Sequence, residues 1–335
     1  MVAWFSIMKA WDKGFFNVEF YKRLAKRVGW SFSYELVERE MLYYDTLYMF
    51  IKYFPVEVVY GGGSLVNRVY LTHAPRFSFD VDTTALEPVE SKLNLLKSLL
   101  ELNMWLEDND FTLKLSFQSK ELNIGEFMVD VEKDVFPDMI SIKRIVPASC
   151  LGTPLSTYLK ARLGVDITDR EVSRKIIRLK SELGFMPRIE EIRIEVGFSR
   201  NGFQGLYSDM EVRSLLEPEH KPLKRLKCKI STLEYSIFTK IASLSRPYSD
   251  MLLPNMVRHL CDLRMLKLKY RKSVLRKLIE ESELDIDEAI RNVVRVEKAG
   301  REIYEKSWHF TLLRKEYSWD KLCQAVLEKI RKLKT

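Results

Sequence analysis

Two aspartates one residue apart, Asp80 and Asp82 in FSFDVDTT (77–84), follow a glycine triplet and a serine in GGGSL (61–65). Alternate residues of an extended strand point to the same side, so these two carboxylates project together. Paired hard-oxygen ligands suit Mg²⁺ or Mn²⁺; Mg²⁺ in particular keeps several waters and is usually held by one or two carboxylates together with substrate phosphates. Upstream, Gly61, Gly62 and Gly63 let backbone approach a ligand closely, and a helix starting near Ser64 would turn its positive end on an anion. A turn for phosphate beside a strand for metal is the pairing that two-metal phosphoryl transfer requires. Other phosphate motifs are excluded, because G-x-x-x-x-G-K-[ST] and G-x-G-x-x-G are both absent. Either half alone occurs often without function, as a turn joining two elements or as a solvated strand edge; the combination is the specific signal.

The surrounding pattern supplies elements to position these groups. From Glu19 to Phe54 apolar residues recur at helical spacing, first in EFYKRLAKRVG, then in one long amphipathic helix, YELVEREMLYYDTLYMFIKYF, that Pro55 stops. VEVVYGGGSL reads as a strand entering a glycine turn, and FSFDVDTT as the next strand. A helix is expected over 90–107, a strand pair in FTLKLSFQ and EFMVDVEKDV, and polar helix in 153–183 with Thr168 or Asp169 at its N-cap. IEEIRIEVGFS alternates strongly and predicts another strand, and beyond about Ser231 the pattern is almost wholly helical. The expected fold class is therefore α+β, with a mixed domain over 1–230 and a helical domain over 231–335.

Composition narrows the class further. At 335 residues, with 46% hydrophobic and 30% charged, the chain has ample material for folded cores. Lys9, Asp12 and Lys13 interrupt the N-terminal apolar stretch, and no apolar run approaches the ~18 residues that span a bilayer. A cytoplasmic protein without membrane contact is expected. Four cysteines without a C-x-x-C pair argue against a zinc knuckle and a disulfide framework, leaving reduced, buried thiols. The net charge of +8 gathers in 21–27, 220–229 and 267–277, clusters that together fit a polyanionic partner, although each alone is also an ordinary solvated face.

VVYGGGSL followed by PRFSFDVDTT resembles the first motif of the DNA polymerase β-like nucleotidyltransferases, in the form found in AbiEii/AbiGii-type and MenT-like toxins. IRIEVGFSRNGFQGLYSDMEVRSLL is similar to the later strand of that family, and ISTLEYSIFTKIASLSR with RHLCDLRML to its helical block. The resemblance spans most of the chain from about residue 20. It implies a polymerase β-like core, a mixed sheet with flanking helices, followed by a C-terminal helical domain, with 111–187 as an insertion. It implies transfer of NMP from an NTP, ATP among the candidates, to a hydroxyl acceptor with release of pyrophosphate. The acceptor implied is RNA, in particular the 3′ end of tRNA, with a protein side chain as the enzymatic alternative. By the same likeness the protein would be the toxin of a toxin–antitoxin or abortive-infection pair, with a separate antitoxin protein as partner.

Carried onto this sequence, the resemblance makes Gly63 and Ser64 hold nucleotide phosphates, and Asp80 and Asp82 ligate Mg²⁺. Glu195 becomes the third carboxylate and the base for the acceptor hydroxyl, with Asp130 and Glu132 on FMVDVEKDV as the competing candidates. Lys240 contacts the triphosphate, and Asp262 matches the second aspartate of the R-D-x-x-D helix. Two departures stand out: His259 occupies the place of the first aspartate, and the spacer from Arg246 to Arg258 is longer than usual. They support a second reading of another class, a catalytically silent fold that binds RNA or a protein through its basic helical half.

Plainer readings remain beside these. Lys240 alone is a lysine on an amphipathic helix, Arg258 and Asp262 are at i,i+4 ion-pair spacing, and Arg76 is either a phosphate contact or solvated. Trp308 and Trp319 are expected as core anchors, and His73, His220 and His309 receive no role.

Overall fold

The computed structural model describes residues 10–11, 18–54, 56–71, 76–87, 112–117, 120–122, 139–148, 188–198, 203–266 and 269–334. The helices expected over 90–107 and 153–183, the strand over 126–135 with Asp130 and Glu132, and Cys150 lie outside them. In chain order the elements are α1 (Val18–Arg27), α2 (Glu35–Tyr53), β1 (Val58–Gly61) and α3 (Gly62–Leu65), the last continuing as a π-helical turn over Val66–Tyr70. Strands β2 (Val81–Ala85), β3 (Thr112–Phe117), β4 (Lys120–Leu122), β5 (Met139–Ala148), β6 (Arg188–Gly197), β7 (Tyr207–Val212) and β8 (Leu226–Ser231) follow. The remainder is helical: α4 (Leu233–Leu244), α5 (Leu253–Met265), α6 (Lys272–Glu281), α7 (Ile286–Ala299), α8 (Arg301–Lys306), α9 (Leu313–Glu316) and α10 (Trp319–Lys334).

The chain forms two compact units, each assembled from separate stretches of sequence. The first comprises Met1–Val58, Phe79–Phe203 and Arg213–Leu226; the second comprises Val59–Ser78, Gln204–Val212 and Lys227–Thr335. The glycine segment belongs with the helices, and the chain passes from one unit to the other between Ser78 and Phe79.

The first unit carries a mixed sheet in the order β4-β3-β5-β6-β2. β2 runs parallel to β6, whereas β5 pairs antiparallel with both β6 and β3. The expected strand FTLKLSFQ is present as β3; its partners among the described residues are β4 and β5. Side-chain alternation sets the faces. Val81, Thr83 and Ala85 on β2 and Ile192, Ile194 and Val196 on β6 are buried. The opposite face therefore carries Asp82 with Arg193 and Glu195.

The long helix α2 ends at Tyr53, and Phe54 is extended at φ −65° and ψ 133°, as the residue before a proline should be. It departs from the expected amphipathic helix in being buried nearly all round, polar side chains included. Two buried carboxylates on it are satisfied by distant residues: Asp45 Oδ1 accepts from Ala10 N at 2.9 Å, and Glu40 Oε1 from Leu215 N at 2.9 Å and the Ser214 hydroxyl at 3.2 Å. The Tyr44 hydroxyl accepts from Leu226 N at 3.0 Å, and Trp11 Nε1 donates to Met41 O at 3.0 Å. These bonds make α2 the post to which the rest of this unit is tied, because a buried polar group without a partner would be costly.

In the second unit β1 pairs in parallel with β8, Tyr60 opposite Ile230, and β7 lies next to β8. Its core is helical, with Ile237 and Ile241 of α4, Val257 and Leu260 of α5, Val293 and Val296 of α7 and Leu322 and Val326 of α10 all buried at helical spacing. Thr232 caps α4 by accepting from Tyr235 N, and Asn292 Nδ2 donates to Leu244 O and Arg246 O, closing the other end of the same helix. Trp319 is a core anchor at 2% exposure; Trp308 is not, at 39%. Cys228, Cys261 and Cys323 are free and buried. No described helix is long and apolar enough to cross a membrane.

Candidate active site

Two acidic residues, Asp82 and Glu195, share one face of the first unit's sheet, and Asp80 lies just ahead of it. Asp82 on β2 stands opposite Glu195 on β6 in parallel register, strands of a sheet being roughly 4.8 Å apart. Asp80, just before β2, is exposed, and its carbonyl accepts from Tyr43 of α2 at 3.4 Å. Glu195 is raised above the usual carboxylate range, first by burial and then by the charge of Asp80, with Arg193 opposing. Asp80 and Glu195 therefore repel one another across the face, a repulsion that a cation between them would relieve.

Among the described residues no three acidic, histidine or cysteine side chains form a ready-made cage for an ion. The donor set is nonetheless all hard oxygen, with Asp82 and Glu195 in register on adjacent strands. It fits a divalent ion that retains waters and takes further oxygens from its substrate.

The other predicted residues lie in the second unit, around one buried carboxylate. Asp262 on α5 is fully buried and receives Arg76 in fork geometry, Nε to Oδ1 at 2.7 Å and Nη2 to Oδ2 at 3.1 Å. Lys240 of α4 reaches the same Oδ2 at 3.1 Å. Burial alone would raise the Asp262 pKa; the charges of Arg76 and Lys240 outweigh it and hold the carboxyl below its usual value. Neither the solvated role for Arg76 nor the surface role for Lys240 applies, since their side chains are 4% and 7% exposed.

Gly63 packs on this cluster. A Cβ there would stand 2.0 Å from Arg76 Nη2 and 3.2 Å from Asp262 Oδ2, so glycine is needed for the close approach of the guanidinium. Ser64 is fully buried, and its hydroxyl oxygen accepts from the Tyr60 hydroxyl at 2.9 Å.

Within the second unit the segment Arg76–Ser78 is held residue by residue. Arg76 is held by Asp262; Phe77 N donates to His309 O at 3.0 Å, and Phe77 O meets His309 Nδ1 at 2.9 Å. Ser78 O accepts from the buried Arg68, which also bonds Ser64 O. Asp80 follows two residues later. Arg68, His309, Tyr43 and Tyr60 hold residues next to the predicted ones, and sequence reasoning does not find them, because most of their partners are neighbours in space only. The nearest available signal is the close succession of Arg68, Arg76 and two aspartates.

No family model matches this sequence, and no curated protein is similar to it. Among solved structures it is similar to MenT4, a nucleotidyltransferase toxin from Mycobacterium tuberculosis H37Rv, at 12% identity over 92% of this chain and 98% of that one, with a TM-score of 0.41. It is also similar to JHP933 from Helicobacter pylori, at 11% identity over 90% and 95% of the two chains, with a TM-score of 0.38. At such identities neither structure assigns a role to any residue here.

Proposed function

We propose that the protein is a metal-dependent nucleotidyltransferase that moves NMP from an NTP to a hydroxyl acceptor and releases pyrophosphate. The observation that carries this reading is the register of Asp82 against Glu195, with Asp80 close enough to perturb Glu195. Asp80, Asp82 and Glu195 would hold Mg²⁺ or Mn²⁺, which when bound neutralises charge on the transferred phosphoryl group and orients its oxygens. Glu195, with its proton affinity raised by burial and by Asp80, is suited to take the proton of an acceptor hydroxyl. Lys240 and Arg76, both turned on Asp262, are the cations for the nucleotide phosphates, and Asp262 fixes their direction. Gly63 admits Arg76 to that position.

The acceptor proposed is RNA, tRNA in particular. Its support is the basic surface around α6, where Lys269, Arg271, Lys272 and Lys277 are exposed. The toxin role and an antitoxin partner rest on the sequence resemblance. To test the chemistry, purified protein is incubated with each labelled NTP, Mg²⁺ and total tRNA, beside an Asp80→Ala/Asp82→Ala variant. Label on tRNA with wild type alone is the expected result. Label on protein instead would overturn the acceptor, and no label on either would overturn the enzymatic reading in favour of a silent RNA-binding fold.

A further inference from the structure

His259 lies on α5 one turn before Asp262, so the two side chains share a helix face. Its ring is partly buried, and Nδ1 is sealed from solvent with no hydrogen-bond partner. Such an orphaned nitrogen is uncommon in a packed interior. The charges that bear on the ring come from four places: Lys240 on α4, Arg246 just beyond it, Arg76 ahead of β2, and Asp262 on its own helix. Three are cations and one is a carboxylate. That carboxylate is already shared, since Oδ2 of Asp262 accepts from both Arg76 and Lys240.

We propose that His259 is a proton-accepting member of the anion site formed with Lys240 and Arg76, so that a polyphosphate binds there together with one proton. The inference rests on the phosphate-holding role given to Lys240 and Arg76 above, and adds to it a residue and a pH dependence. Without an anion the ring is neutral: burial, then Lys240, with Arg76 and Arg246 in addition, push its pKa down to about 3, and Asp262 only partly opposes them. A polyphosphate brings several negative charges to the same cations. Their field at the ring is then offset, and protonation becomes favourable at an ordinary pH. The proton comes from solvent and goes to the imidazole; no bond in the ligand changes. By linkage, a ligand that raises a pKa binds more tightly as pH falls through the raised value toward the free one, by up to tenfold per pH unit for one proton.

The experiment uses inorganic triphosphate in EDTA, so that bound metal plays no part, with the full-length protein. The chain has 4 histidines, and the ring resonance of His259 is the one absent from a His259→Asn variant. In wild type without ligand that resonance should remain neutral down to about pH 5, and with saturating triphosphate it should titrate above pH 6. Calorimetry near pH 6.5 in buffers of low and high ionisation enthalpy should show proton uptake by wild type beyond that of His259→Asn. Between pH 6.5 and 5.5 wild-type affinity should gain about threefold to tenfold over the variant. Triphosphate binding with a His259 resonance that stays neutral, or with the same proton uptake in both proteins, overturns the proposal while leaving the phosphate site in place. Failure of wild type to bind triphosphate at any pH overturns the phosphate site itself. The resonance and the wild-type proton uptake decide the matter even if His259→Asn folds poorly, because His259→Gln then identifies the same signal.

Discussion

Gly63→Ala separates two reasons for the glycine, ligand approach and internal packing. The new Cβ would lie 2.0 Å from Arg76 Nη2, against 3.4–4 Å for ordinary contact, so the guanidinium must retreat by about 1.4 Å. An arginine tip is usually free to do this. Here it is buried, and it is fixed on Asp262 by bonds of 2.7 and 3.1 Å. Retreat breaks the longer bond first. Loss of one charge-assisted hydrogen bond costs about 1.5–3 kcal/mol, and loss of a whole buried pair about 3–5 kcal/mol. The variant should therefore lose about 1.5–3 kcal/mol in denaturant unfolding without any ligand present. In an Arg76→Ala background the obstacle is gone, and the same substitution should cost less than about 1 kcal/mol. The cycle formed by these variants should give a coupling of at least about 1 kcal/mol. Additivity within about 0.5 kcal/mol, or an unchanged unfolding midpoint for Gly63→Ala, would refute the packing role and leave ligand approach as the reason for glycine.

Other outcomes follow from the same contacts. Glu195→Gln should stabilise the metal-free protein at pH 7, because a carboxyl whose folded pKa is raised adds stability only below its ordinary value and loses it as pH rises through the folded one; the gain should vanish by about pH 4 in parallel melts. Asp262→Asn should cost about 3–5 kcal/mol by leaving Arg76 and Lys240 to face each other. Since the Asp262 pKa is lowered, wild type should keep this advantage above pH 3.8 and lose it only as pH falls further, which an acid titration of stability checks. Replacing the exposed Lys269, Lys272 and Lys277 by Ala should lower the slope of log K for tRNA against log salt by about 2–3, in proportion to the phosphates released. An unchanged slope would remove α6 from the RNA-binding surface.

What the sequence reveals and what it hides divide along chain distance. The strand carrying Asp82 and the strand carrying Glu195 are legible because period-two alternation is local, and so is the length of α2, bounded by Pro55. The burial of α2 is not legible. Glu40 and Asp45 read as the polar face of an amphipathic helix until Leu215 and Ala10 are found bonded to them, 175 and 35 residues away. The same holds for Asp262. Its helical spacing offers Arg258 as a partner, whereas the structure supplies Arg76, 186 residues distant, and Arg258 donates to Asn255 instead. Local spacing proposes partners from one helix face, and tertiary packing chooses among all those it brings near.

This division explains why the two halves of the opening motif fare differently. Asp82 depends on strand alternation alone, so its face follows once the strand exists, and Asp80 stands one residue ahead of it. Gly63 and Ser64 sit in a turn whose environment is made by residues from far along the chain. Tyr60 takes the serine hydroxyl and Arg76 takes the space a side chain at 63 would fill. Ser64 could then serve a ligand only through a hydroxyl already accepting from Tyr60, with its own proton left to donate. Tyr60→Phe tests this directly. If Ser64 donates to phosphate, losing the tyrosine bond leaves that donor free to reorient, and triphosphate affinity should change by severalfold while Lys240 and Arg76 stay bound to Asp262. If Ser64 is a packing residue, Tyr60→Phe should lower stability by about 1 kcal/mol and leave affinity as it was.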